Sequence, residues 1–349
     1  MPLDEPGWWY TSEPAPIARA LRPIAALYGR AAMRRLRRGP RHHARVPVIC
    51  VGNFTAGGSG KTPVAILTAK LLQRLGQRPA ILTRGYGGRL AGPIWVEAAQ
   101  HGARDVGDEA LLLARTAPTL VSRDRTQGAA AIETHASAPS AIVMDDGLQN
   151  SELAKTLSIA VVDARRGLGN GEVIPAGPLR APLEAQLERV DAIIVAHPAG
   201  MPVDPERGVH GWLRQRFQGP VLATRTEPDG DLAWLAGARV VAFAGIVNPH
   251  RFYDLIRGAG AEIAHEVSFK DHHAFSEADA IRLLEQARSA GAGLVTTEKD
   301  LVRLDGCGGR CGELGAATRA VAVRAVLAPD AEARLEALLA AALVTTTAR

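Results

Sequence analysis

The stretch VGNFTAGGSGKTP, residues 51–63, holds the residue types and spacing most suited to chemistry in this chain. Gly57, Gly58 and Gly60 carry no side-chain bulk, so successive backbone N–H groups can turn onto an anion while the next helix presents its N-terminus to it. Lys61 would reach the β- and γ-phosphates of a nucleotide, and the Thr62 hydroxyl would hold Mg²⁺. Thr55, Ala56, Gly57, Gly58, Ser59, Gly60, Lys61, Thr62 and Pro63 therefore form a candidate ATP-binding loop. The strict pattern G-x-x-x-x-G-K-[ST] has glycine where Thr55 stands, and a plain glycine-rich turn is the competing reading.

A bound magnesium ion also needs a carboxylate at a strand end, and SAIVMDDGLQ supplies one. Its apolar run stops at Asp145 and Asp146, Gly147 turns the chain, and Gln149 stands near enough to place a water or a metal ligand. A GTPase would show Asn-Lys-x-Asp after a strand, which is absent; TTEKD is the nearest piece. Partitioning ATPases carry a signature lysine where this chain has Ala56. Phosphoryl transfer to a separate acceptor is left, with a membrane-associated ATPase acting as a nucleotide switch as the alternative.

These groups need a scaffold, and short β-rich runs alternate with helical ones from residue 47 onward. VPVICVGN, RPAILTRG, TLVSRD, SAIVMDDG, LSIAVVDA and DAIIVAH read as strands, with helices over GKTPVAILTAKLLQRLG and GDEALLLARTA. Such alternation predicts an α/β fold, a doubly wound, mostly parallel sheet covered on both faces. It resumes after about residue 205 with ARVVAFAGI, AEIAHEVSF, GLVTTEKD and AVAVRAV as strands, RTEPDGDLAWLAG being connecting material. The expected organisation is a basic N-terminal helix over 1–46, a phosphate-loop kinase domain over 47–205, and a second, smaller α/β domain over 206–349 contributing to the substrate cleft. A chain of 349 residues exceeds what one core usually organises, which agrees with two domains.

Apolar residues make up 47% of the chain and charged residues 22%, ordinary for a globular protein and against disorder. Three cysteines cannot form a fully paired disulfide framework and no secretory signal is evident, so a reducing cytosol is expected. Cys307 and Cys311 have no further His or Cys nearby to complete a zinc site. No run approaches the ~20 apolar residues that span a bilayer. The net charge of +5 conceals an asymmetry, because nine arginines and no carboxylate lie from Arg19 to Arg45. There Ile17, Leu21, Ile24, Leu27 and Tyr28 recur on one helical face beside the aromatics Trp8, Trp9 and Tyr10. Such a helix suits the surface of an anionic membrane, the competing reading being a helix packed on its own domain. The apolar face argues against a nucleic-acid arm.

Taken in order, GNFTAGGSGKTP (52–63), LTRGYGG (82–88), VGDEALLLA (106–114), DDGLQ (145–149), GNGEVIPAGPLR (169–180), AFAGIVNPHRF (242–252), DHHAF (271–275) and TTEKD (296–300) resemble the tetraacyldisaccharide 4′-kinase family of lipid A biosynthesis. That family's loop also carries threonine in the first glycine's place. The resemblance implies transfer of the ATP γ-phosphate to the 4′-hydroxyl of a tetraacylated glucosamine disaccharide 1-phosphate. It implies Asp108 as proton acceptor, assisted by His272 or His273 with His273 weakly favoured, and Arg123 as a cation on the phosphates alongside Lys61. Tyr86, Arg180 and Asn170 would face the sugar or its 1-phosphate, and Thr62, Asp145, Asp146 and Gln149 the metal. Read alone, Asp108 is a helix cap and the other residues ordinary loop or surface groups. Asn150, Lys155, Thr156 and Lys270 depart from the family's usual residues beside the motifs. The implied partner is a membrane-embedded glycolipid met at the anionic cytoplasmic face of the inner membrane, by a peripheral protein with no need of nucleic acid or oligomerisation.

Overall fold

The computed structural model describes residues 5–11, 13 and 15–347. Its strands are β1 (Val48–Gly52), β2 (Pro79–Thr83), β3 (Ile94–Trp95), β4 (Thr119–Val121), β5 (Ala141–Asp145), β6 (Leu157–Asp163), β7 (Ala192–His197), β8 (Val221–Pro228), β9 (Arg239–Ala244), β10 (Glu262–Ser268), β11 (Gly293–Thr297), β12 (Thr318–Val321) and β13 (Val323–Leu327). They form a nine-stranded sheet ordered β13-β8-β7-β6-β1-β5-β2-β4-β3 and a four-stranded sheet ordered β10-β9-β11-β12. The fold is α/β with two mostly parallel sheets, and among the described residues only the edge pairs β13–β8 and β3–β4 run antiparallel.

The apolar runs of the central strands follow from burial on both faces. In β1, Ile49 and Val51 enter a cluster with Leu71 and Leu72 of the helix Lys61–Arg74, whereas Val48 and Cys50 enter one with Ala129 and Ile132 of the helix Arg125–Glu133. This two-residue alternation fixes the register, since a slip of one would exchange the faces. The chain runs out from β1 through β2 and β4, returns at β5, then leaves on the other side through β6, β7 and β8. β1 thus lies where the direction of travel reverses, the place at which strand ends open a ligand crevice.

Sheet membership divides the chain elsewhere than the expected boundary at 205. β8, β13 and the terminal helix Pro329–Thr347 belong to the large unit, with Leu335 and Leu339 in the same cluster as Ile49 and Leu71. The small sheet is an insertion between β8 and β13, whose junction residues Pro228 and Val323 are register partners. AVAVRAV, expected as one strand, turns at Ala322 and serves both sheets. RTEPDGDLAWLAG is not all connection, because its first four residues complete β8.

The helix Pro16–Leu36 docks by its small residues: Ala18, Ala25 and Gly29 are buried, and a Cβ on Gly29 would already touch Pro182 at 3.6 Å. Ile17, Ile24, Leu27 and Tyr28 face outward, between 44% and 64% exposed. The aromatic residue Trp9, by contrast, is buried and donates its indole N–H to the Pro175 carbonyl at 3.2 Å.

Leu339→Ala should destabilise the large unit by about 2–5 kcal/mol, the usual range for emptying a buried leucine site. Hydrogen exchange should speed up in β1 and in the helix Lys61–Arg74 and leave β9 to β12 unchanged.

Candidate nucleotide and phosphoryl-transfer site

β1 ends at Gly52, pressed so closely on Leu148 that a Cβ would lie 2.7 Å from that residue's own Cβ. The loop then crosses to the segment 178–180: Thr55 bridges Leu179, Ala56 N–H donates to the Pro178 carbonyl at 2.8 Å, and Arg180 N–H to Phe54 at 2.9 Å. Thr55 is not among the residues with positive φ. Its extended backbone asks for no glycine, which is why threonine serves here. Gly57 and Gly60 do need their freedom, with φ of 89° and 83°. Among the described residues the N–H groups of Gly57, Gly58, Ser59 and Gly60 donate to no protein acceptor, and the helix beginning at Lys61 aims its N-terminus the same way. Pro63 sits in that first turn, where a missing N–H costs nothing. This is an anion cradle, and the Glu5 carboxylate, itself paired with Arg166, already lies against Gly57.

Opposite lies the tip of β5, hydrogen-bonded alongside β1. Asp145 is 2% exposed; its Oδ2 accepts from Thr83 Oγ1 at 3.0 Å and its Oδ1 has no hydrogen-bond partner. Burial, with Glu109 and Asp146 adding negative charge, pushes its pKa up to about 7. Asp146 is forced into the left-handed region at φ 49°. Burial would raise its carboxyl too, but Lys61 and Arg180 outweigh that and hold it at about 2. Lys61 Nζ is 3.8 Å from Asp146 Oδ1, and Arg180 Nη1 donates to the same oxygen at 2.8 Å.

A magnesium ion usually takes one or two carboxylates plus phosphate oxygens and waters, so a full protein cage is not required. Among the described residues no group of three or more His, Cys, Asp or Glu could hold a metal. The free, buried Oδ1 of Asp145 is what such a shared site asks of the protein. Gln149 fits less well, because Arg180 Nη1 donates to its Oε1 at 3.2 Å while its Nε2 donates to Asn53 and Gln186.

A second cluster joins the two sheets. Asp108 opens the helix Asp108–Ala114 and is 3% exposed. Its side chain does not cap that helix, since Oδ1 accepts only the neighbouring Glu109 N–H at 2.8 Å. Its Oδ2 meets His272 Nδ1 at 3.0 Å and accepts from Arg303 Nε at 2.7 Å. Burial would raise the carboxyl; His272, Lys299 and Arg303 together hold it far below the ordinary carboxylate range. His272 also occupies a left-handed conformation, φ 57°, with the Tyr86 ring centroid 5.2 Å from its own.

Other expected residues lie elsewhere. His273 pairs with Asp279 at 3.0 Å and stacks on Phe269, so His272 is the one brought to Asp108, contrary to the weak preference read from sequence. Arg123 is exposed and donates to the Gly88 carbonyl at 3.2 Å, beside the Tyr86 turn. Arg125 is the buried cation at β5, donating to the Asp145 carbonyl at 3.2 Å. Arg180, expected at the sugar, sits on Asp146. Asn170 braces its own loop, donating to Ala176 at 2.9 Å and accepting from Glu172 N–H, and it lines a cavity of about 1010 Å³ between that loop and the N-terminal helix. Arg125, Arg303 and Lys299 were missed by sequence reasoning. Arg303 follows TTEKD at a three-residue step from Asp300, a spacing that puts both on one helical face and could have drawn notice.

The family model described as Tetraacyldisaccharide-1-P 4'-kinase matches residues 17–343. The chain belongs to this family. A tetraacyldisaccharide 4′-kinase from Methylobacterium sp. is 48% identical over 341 residues, covering 97% of each chain. Relatives of the same name include one from Rhodopseudomonas palustris, 46% identical over 97% of this chain and 96% of its own. A second, from Methylobacterium nodulans, is 52% identical over 86% and 87%. The crystal structure of the "apo" form of LpxK from Aquifex aeolicus in complex with ATP superposes with a TM-score of 0.73 at 24% identity, covering 94% of this chain and 99% of that one. That likeness bears on the fold.

A carboxyl group raised from 3.8 to about 7 contributes stability below its ordinary value that is lost as pH rises through the folded one. Asp145→Asn should therefore raise the Tm of the nucleotide-free protein above that of the parent at alkaline pH, with the difference closing as pH falls towards the ordinary carboxylate range.

Proposed function

We infer that this protein is an ATP-dependent kinase that moves the γ-phosphate of ATP to the 4′-hydroxyl of a tetraacylated glucosamine disaccharide 1-phosphate, a step of lipid A biosynthesis. The observation that carries this reading, in a chain of this family, is the run of amides at 57–60 that donate to no protein acceptor, with Lys61 facing the β5 carboxylates. Family membership also sets aside the nucleotide-switch alternative.

ATP seats its β- and γ-phosphates in the cradle, where Lys61 turns from Asp146 to the phosphate oxygens. Thr62 and Asp145 are the residues to hold Mg²⁺, which supplies charge neutralisation between β- and γ-phosphates when bound. Arg180, donating to the same Asp146 oxygen that faces Lys61, keeps Asp146 ionised when Lys61 moves to the phosphates. The Asp108–His272 pair receives the acceptor's proton: the 4′-oxygen bonds to the γ-phosphorus, the bond to the β-phosphate oxygen breaks, and ADP leaves. His272 is the accessible member, its side chain 24% exposed against 4% for Asp108. Tyr86, over half exposed beside His272, is placed to meet the sugar.

The substrate resides in a membrane, and the N-terminal helix is how the protein reaches it. Apolar side chains that could have packed inward point outward, and Arg19, Arg22, Arg30, Arg34 and Arg35 are exposed among them. Each basic residue near an anionic surface contributes about 1 kcal/mol. No helix among the described residues is long and apolar enough to cross a membrane; the exposed apolar and basic face of the first helix supports an interfacial attachment. A cavity beside this helix has Arg22, Arg30 and Trp212 in its wall.

Lys61→Ala should lower kcat by roughly 10²–10³-fold, the usual cost of removing one preorganised charge-stabilising group. Asp108→Asn should reduce kcat by about 10²–10⁴-fold with ATP binding by calorimetry unchanged; equal loss of both would move Asp108 from chemistry to structure. The Ile24→Glu/Leu27→Glu variant should stop cosedimenting with anionic phospholipid vesicles while still binding ATP, and parental cosedimentation would end the membrane assignment.

A further inference from the structure

Two donors converge on one oxygen of Asp108, and one of them belongs to a residue with no assigned role. Arg303 Nε donates to Oδ2 at 2.7 Å, where His272 Nδ1 also points at 3.0 Å, and Nη2 stands 2.6 Å from the same oxygen in charge contact without a hydrogen bond. The guanidinium is 5% exposed and backed on its far side, Nη1 donating to the Gly245 carbonyl at 2.8 Å and to Asp300 at 2.7 Å. Asp300 is itself fixed by Gly245 N–H and Thr297 Oγ1. Asp108 stands on the large unit and Arg303 follows β11 of the small one, so the contact crosses between sheets.

We propose that Arg303 is a positioning residue for phosphoryl transfer, reaching from the small unit to hold the Asp108 carboxylate, and through it the His272 ring, in the orientation in which the pair accepts the hydroxyl proton. This rests on the reading of Asp108 and His272 as the proton-accepting pair. The planar guanidinium is locked by its bonds to Gly245 and Asp300, so its Nε–H holds Oδ2 in a fixed direction, which a rotating ammonium does not. An ionised Asp108 facing Nδ1 selects the tautomer with its proton on that nitrogen, leaving the Nε2 lone pair outward in the neutral ring. Lys299 Nζ, 3.5 Å from Nε2, and Asp271 Oδ2, also at 3.5 Å, steady the outer edge. Glu109 on the helix of Asp108 and Asp271 share Lys299, which completes the charged groups facing the pair.

The same interface offers a control. Arg115 also joins the two units, through Glu298 at 2.7 Å and Asp305 at 3.3 Å, and its ion pairs do not include Asp108. An Arg303 that merely pinned the units together would be matched by Arg115; a positioning residue would not.

The experiment measures kcat, KM for ATP and the pH profile of the full chain with Mg-ATP and micellar tetraacyldisaccharide 1-phosphate, for Arg303→Met, Arg303→Lys, Arg115→Met and Asp108→Asn. Arg303→Met should lower kcat by about 100-fold, the scale of a small misplacement of reacting groups, with little change in KM for ATP. Its acid limb should move to higher pH, because a carboxylate deprived of its cation regains proton affinity. Arg303→Lys should restore the acid limb more than it restores kcat, and it decides the matter if the methionine variant does not fold. Arg115→Met should keep the parental kcat and profile. An unmoved acid limb in the Arg303 variants, or an equal loss in Arg115→Met, overturns the proposal while an inactive Asp108→Asn leaves the underlying reading standing. Parental turnover by Asp108→Asn would instead sink that reading and this proposal with it.

Discussion

Two adjacent carboxylates and a triphosphate can share one corner of a protein only if cations stand between them, and the arrangement around β5 answers that demand. Asp145 and Asp146 leave the same strand but meet opposite fates. Asp146 is held ionised by Lys61 and Arg180, while Asp145, buried without a direct cation on its side chain, keeps a high proton affinity and one uncommitted oxygen. The division follows from geometry. The left-handed backbone at Asp146 throws its side chain towards the loop and its lysine, whereas Asp145 continues the strand and points into the body against Thr83. Non-glycine residues rarely tolerate that conformation, and surrounding structure must impose it.

His272 adopts the same strained backbone, and again a charged partner fixes the side chain. The two strained residues belong to different sheets, Asp146 at the tip of β5 and His272 after β10. The β5 carboxylates and the lysine facing them stand within the large unit, although Val247 of the small unit lies against Gly58, and the Asp108 cluster exists only when the small unit is docked. Val302 of the small unit packs with Val106, Ala110 and Leu111 around it, so apolar contact and ion pairs hold the same seam.

Much of this was readable from residues alone. The glycine loop between a strand and a helix, the aspartate pair and the alternation of apolar runs all report local requirements, and local requirements leave local patterns. Thr55 looked like a departure because the pattern counts residue types; the backbone there is extended, and the glycine rule does not apply. What escaped is what depends on distant pairing. Nothing in AVAVRAV announces that its halves join different sheets, since both are equally apolar. His272 and His273 differ only in which carboxylate lies opposite, Asp108 or Asp279, and the first of these is 164 positions away. Arg180 and Arg303 are single charges whose partners come from other elements. The outward apolar face of the first helix had two readings because periodicity shows that a face exists and not which way it turns.

The interrupted layout of the large unit bears on how the chain is made. Translation delivers the four strands of the inserted unit before β13 and the terminal helix, so on the ribosome the smaller unit is complete first. The nine-stranded sheet meanwhile waits with the edge of β8 uncovered and the hydrophobic site for Leu335 and Leu339 vacant, a state in which domains are prone to associate wrongly. A stop codon that trims only the last thirty or so residues, well away from every charged group of the reaction, would leave that waiting state permanent.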